Sequence, residues 1–221
     1  MQRMLWSLLL LATISYGASR MLVSDSSAIL STVVQSGPLP SVAQQIVAGP
    51  FVGMVADYNI LAVFTIYDQI IYKLPESEKQ HAWQQLASYL QRTSDIDPLF
   101  MDTYRLSSGL LAYSEHGAQD AIAILAKGAE ARSWDWELPF LAGFIAYDSL
   151  KDSEQAFYFM EMATKRPGVP PVAIGLASRM LTQQQGVEAS ISFLHYLLTT
   201  MPAAYHGQIQ RRIRELKESA L

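Results

Sequence analysis

Asp95, Asp97 and Asp102 lie within eight residues of one another, and closely spaced carboxylates are the raw material of general acid–base chemistry. That chemistry needs a second group, and the sequence supplies none beside them. Turn formation and helix capping account for Asp95 and Asp97 instead, because short acidic side chains accept backbone N–H bonds at such places. The four histidines, His81, His116, His195 and His206, fall in separate segments without the i,i+4 pairing of a metal-ligating helix. Zero cysteine removes thiolate zinc sites, iron–sulfur clusters, thiol nucleophiles and disulfides together. No GxSxG, P-loop or GxGxxG string occurs, so acyl transfer and phosphate cradling have no support. Met54, Met101, Met160, Met162, Met180 and Met201 are dispersed and read as core filler. The chain therefore reads as non-catalytic, with no metal and no cofactor.

The elements that carry these residues belong to a packed body. Half of the 221 residues are hydrophobic and 16% are charged, which excludes intrinsic disorder. A net charge of -4 without a basic block excludes a nucleic-acid partner, since phosphate binding needs clustered Lys and Arg.

At the amino end, Arg3 precedes an uncharged, Leu-rich run from Met4 to Ser19, and Arg20 follows. The run reaches about 24 Å as a helix, and Met21, Leu22 and Val23 extend it toward the roughly 30 Å of a hydrocarbon core. Gly17 and Ser19 form only a weak cleavage signal, and Tyr16 spoils the cut after Ala18. Residues 1–23 are accordingly read as an export signal retained as a membrane anchor, with a cleaved signal peptide as the alternative. Arg3 on the cytoplasmic side places the rest on the periplasmic side. Residues 24–50, rich in Ser, Gly and Pro, read as a linker. Phe51 to Tyr72 is apolar enough to resemble a second span, but Asp57 and Asp68 lie within about 20° of each other on a helical wheel. A soluble helix with one wet stripe fits better.

A 34-residue period organises the remainder of the chain. Gly109, Gly143 and Ala177 are spaced by 34 and 34, each midway along a helix-forming segment. Ala121, Ala156 and Ala189 come 12, 13 and 12 residues later and open a second helical segment in each unit. Leu125, Met160 and Phe193 stand four residues beyond them, and Pro98, Pro167 and Pro202 punctuate unit ends. Small residues at such places let two antiparallel helices approach, and the larger residue fills the space beside them.

This spacing resembles the tetratricopeptide repeat (TPR), a helix–turn–helix unit of 34 residues. The tryptophan position of that pattern holds Arg105, Pro139 and Ala173, and the tyrosine position holds Ala112, Ala146 and Met180, so the likeness rests on the small residues. Asp97-Pro98-Leu99-Phe100, Trp134-Asp135-Trp136-Glu137-Leu138-Pro139-Phe140 and Arg166-Pro167-Gly168-Val169-Pro170-Pro171 also look like a group of bacterial membrane-anchored TPR-like proteins. The fold implied is all-α, a TPR-like right-handed solenoid of helical hairpins behind an amino-terminal signal-anchor helix. Its parts are a repeat domain over 51–202, with a divergent unit 51–98 and repeats at about 102–135, 136–169 and 170–202, then a capping helix over 203–221.

In TPR solenoids the first helix of each unit lines a concave face. The resemblance assigns to that face Leu106, Leu110 and Tyr113 with Thr103 and Ser114 from the first repeat, and Glu137, Phe140, Phe144, Tyr147 and Asp148 from the second. The third gives Pro171, Ile174, Ser178, Leu181 and Thr182. An apolar, aromatic groove of this kind suits an amphipathic or extended apolar peptide. The same residues are core if the protein's own leading helix or linker fills the hollow. The function expected is a membrane-tethered scaffold that binds a segment of an exported or envelope protein, for instance in assembling a surface appendage or secretion apparatus. The alternatives are an apolar small-molecule or lipid binder and an accessory subunit of an envelope enzyme using the Asp95 to Asp102 carboxylates.

Overall fold

The computed structural model describes residues 40–114 and 116–219. The anchor assigned to residues 1–23 lies outside them, as does the linker up to residue 39. Ten α-helices and no β-strand occur among the described residues.

Residues 41–48, inside the stretch read as linker, form α1 (Ser41–Ala48) rather than an extended spacer. Its hold on the body is polar: Asn59 Nδ2 donates to Gln44 Oε1 at 3.0 Å in a buried pair, and Gln45 Nε2 donates to the Asp95 carbonyl at 3.1 Å. A 3-10 turn, Gly49–Phe51, leads into α2 (Val52–Tyr72). Ala56, Asn59, Ala62, Val63, Ile66 and Ile70 recur at helical spacing and form the buried face of α2. Gly49–Tyr72 is long and apolar enough to cross a membrane, and a third of its most apolar window is buried in the protein. A core helix has the same composition.

Pro75 ends the turn after α2, and Glu76 and Glu78 place acidic charge in the first turn of α3 (Glu76–Ile96), where the helix dipole favours it. Next come α4 (Met101–Leu106), which runs into one π-type turn over Ser107–Leu111, and α5 (Gly117–Ala131). The remaining helices are α6 (Glu137–Asp148), α7 (Ser153–Thr164), α8 (Pro171–Gln185), α9 (Val187–Thr200) and α10 (His206–Ser219). Most contacts join a helix to its neighbour in sequence: α2 to α3, then α5 through α10 in a continuous series. α3 also meets α5, and α10 also reaches α8.

Burial recurs along this series. Pro139, Gly143 and Ala146 are buried, and so are Ala173, Ala177 and Met180, each 34 residues on. Ala156, Met160 and Ala163 are matched in the same way by Ser190, Leu194 and Leu197. The residue equivalent to Ala156 is therefore Ser190, fully buried and bonded to Ser178, whereas Ala189 is only half-buried.

Gly109 departs further from its expected place. A Cβ on Gly143 would lie 2.9 Å from the Ala156 carbonyl oxygen and 3.0 Å from Met160 Cγ, which marks a tight crossing of α6 and α7. A Cβ on Gly109 would meet nothing within 4 Å. The π-type turn explains the difference. Thr103, Tyr104 and Ser107 are buried 35 residues before Leu138, Pro139 and Ala142, but Leu111 and Ala112 are buried only 34 before Ile145 and Ala146. The turn holds one extra residue, and the bulge rotates Gly109 to the outside.

Candidate functional site

Two ties join the segment of α4 and its π-type turn to α6 and the residue after it. Arg105 reaches Glu137 with two bonds, Nε to Oε1 and Nη2 to Oε2, each 3.1 Å. The forked geometry fixes the relative position of the two helices, although solvent screening leaves such a pair little net stability. At the far end Ser149 Oγ donates to the Ala112 carbonyl at 3.1 Å. Six apolar residues assigned to a groove belong to these segments, five of them between the ties in sequence and Tyr113 just beyond Ala112. Leu106, Leu110 and Tyr147 are half-buried, and Phe144 is 38% exposed. The other two turn elsewhere. Phe140 stacks edge-on against Trp136, with ring centres 5.8 Å apart, and both pack on Ala163, Val169 and Ala173 beside Met201 and Tyr205. Tyr113, 67% exposed, borders an open cleft of about 470 Å³ that it shares with Ile70, Ile71, Lys79, Trp83 and His116.

The charged members of the set are occupied. Glu137 is held by Arg105, and Asp148 lies 3.8 Å from Lys151, which has a left-handed backbone with φ 55°. On α8 the corresponding surface is covered by the chain itself. Gln208 Nε2 donates to the Pro171 carbonyl at 3.0 Å and Arg212 Nε to Ser178 Oγ at 3.2 Å. Ile174, Ser178 and Leu181 are buried, and α10 buries its own Ile209, Ile213 and Leu216. The helix that covers this surface is the last one, not a leading one.

A cationic knot holds the entry to α6. Asp135 Oδ1 accepts from the Glu137 amide at 3.0 Å, as a capping carboxylate does. Arg132 binds Asp135 Oδ2 through Nε and Nη2 at 3.1 and 3.0 Å, donates Nη1 to the Leu99 carbonyl at 2.9 Å, and lies 5.5 Å from the centre of the Trp134 ring. Arg166 donates to the carbonyls of Ala129 at 2.7 Å, Arg132 at 3.1 Å and Asp135. Burial lowers the pKa of Arg166, and Asp135 opposes that shift. The Arg132–Asp135 spacing of i,i+3 was the available signal. Nothing local marks Arg166, which arrives from the end of α7.

The three clustered carboxylates go separate ways. Asp95 pairs with Lys127, Asp97 Oδ1 accepts from the Leu99 amide at 3.1 Å, and Asp102 stands exposed in the first turn of α4. Among the described residues no group of three or more His, Asp or Glu is placed to hold a metal ion. No protein-family model matches the chain, and no curated protein matches it.

Proposed function

We propose that the chain is a non-catalytic protein-interaction scaffold of TPR-like helical hairpins, tethered to the membrane through residues 1–23. On this reading it presents the face formed by α4 and α6 to a segment of an exported or envelope protein. The observation that carries the proposal is the recurrence of buried positions at intervals of 34 residues in α6 to α9, which is what stacked hairpins of equal length produce. Sequential helix packing supports it, as do the Arg105–Glu137 tie between α4 and α6 and the Ser149–Ala112 bond beyond the π-type turn. Leu106, Leu110, Phe144 and Tyr147 then offer apolar surface, and an amphipathic or extended peptide gains affinity by burying it. Glu137 acts in this scheme as the spacer that sets α6 against α4, rather than as a peptide ligand.

The test uses the tagged full chain in mild detergent. Wild type is expected to retain a protein from membrane extracts that the Phe144→Asp variant retains about tenfold less, because a carboxylate placed in a partly desolvated apolar contact is poorly tolerated. Equal retention by a Phe144→Asp variant with unchanged circular dichroism would remove the α4–α6 face from the proposal.

A further inference from the structure

Helix α2 has a second apolar surface, opposite the one it buries. With its inner residues packed in the body, it leaves large apolar side chains in solvent along its whole length. Exposed apolar surface of this extent marks an interaction site more often than an accident of composition. Its order is regular. Taking Phe51 as position a of a heptad, the a and d positions are Phe51, Met54, Tyr58, Leu61, Thr65, Asp68 and Tyr72, and the g positions are Asp57, Phe64 and Ile71. Of these, Phe51, Met54, Tyr58, Leu61, Phe64, Ile71 and Tyr72 are exposed. A seam that steps by three and four is the form another helix recognises, with side chains of each helix seated between those of the other.

Charge decides what kind of helix. Asp57 is exposed and has no ion-pair partner among the described residues, while Asp68 is held by Lys73 at 2.6 Å. The two carboxylates lie about 16 Å apart along the axis, in the middle of the apolar face. A bilayer would have to take both carboxylates, which is costly at depth, and α2 has no Lys or Arg to meet lipid phosphates. A second copy fits no better. The e positions of α2 are Val55, Ala62 and Gln69, so a paired α2 would bring no cation to Asp57 at position g.

We propose that the outer face of α2 docks one amphipathic helix of a partner protein whose apolar seam is flanked by lysine or arginine, with Asp57 as the charge that selects it. This surface is separate from the α4–α6 face, so each stands or falls by its own experiment.

The test uses the full chain in mild detergent and three fluorescent 21-residue helices with leucine at a and d and lysine, glutamine or glutamate at e and g. Anisotropy titrations should rank the lysine peptide first and the glutamate peptide last, about tenfold apart or more. Asp57→Lys should invert that order, and Leu61→Glu should abolish binding of all three. Glu188→Lys, the same charge change at an exposed residue of α9, should leave the order intact and so separate local recognition from attraction to an acidic protein. Three results would overturn the proposal: an order that survives Asp57→Lys, displacement of the peptides by phosphatidylcholine–phosphatidylglycerol vesicles, or light scattering that shows a dimer lost in Leu61→Glu.

Discussion

Tyr104 is buried completely, and two neighbours make that possible. Its hydroxyl donates to the Pro98 carbonyl at 2.7 Å, so the polar atom is satisfied, and its ring occupies the space left by Gly128, where a Cβ would lie 2.4 Å from the ring. Burial pushes the phenol up to about 12; Arg132 opposes the shift, while Asp97 and Asp95 add to it. The unfolded phenol titrates near 10, so the native state keeps its proton over a range where the unfolded chain has lost it. The stability gained is therefore complete below about pH 10 and is lost as the pH rises toward about 12. Tyr89 shifts the same way, so one substitution removes only part of the effect. Tyr104→Phe is expected to be less stable than wild type by about 1 kcal/mol at pH 8, through the lost hydrogen bond. It should then lose less stability between pH 9.5 and 11. Urea unfolding at several pH values measures both, and parallel pH profiles for the two proteins would acquit Tyr104.

Helix crossings are where small residues matter, and Gly109 and Gly143 separate that role from simple helix propensity. Alanine is favoured over glycine in a helix by about 0.5–1 kcal/mol, and at Gly109 nothing opposes it, so Gly109→Ala should raise the unfolding midpoint. Gly143→Ala drives a Cβ against backbone of α7, and overpacking of this kind costs about 1–3 kcal/mol. Thermal unfolding should move in opposite directions for the two variants; equal destabilisation would place Gly109 at a crossing and contradict the π-type turn. The same pair shows how much the residues alone could reveal. Helical spacing and small residues made the all-helical body legible, because apolar faces must be buried at a period near 3.6. The extra residue in the α4 turn was not legible, since the 34-residue interval from Gly109 to Gly143 looks like an intact repeat and nothing local shows that Gly109 sits inside the turn and points outward. For the candidate site, the type of Glu137 was readable but its partner Arg105, 32 residues away, was not, because a long-range pair has no local signal. The α2 seam was visible as an apolar stretch, yet only its exposure separates a binding surface from core.

Across the whole of the described body, stability should be graded because each helix touches mainly the next in sequence. In such an arrangement a defect raises the free energy of its neighbours directly and of distant helices only through the chain of interfaces between them. The carboxyl end offers the clearest case. Ile209, Ile213 and Leu216 are the buried residues of α10, which packs on α9 and α8 and covers Ile174 and Ser178. Ile213→Ala removes most of one buried side chain, at about 2–5 kcal/mol. Hydrogen exchange under native conditions should then quicken in α8, α9 and α10, while the amides of α2 and α3 keep their protection, because no direct contact carries the loss to them. A uniform drop in protection from α2 to α10 would show instead that the body unfolds only as a whole. If the two proposed surfaces bind partners, graded stability lets the α2 surface and the α4–α6 face be occupied separately, each partner ordering the helices it touches without committing those at the other end.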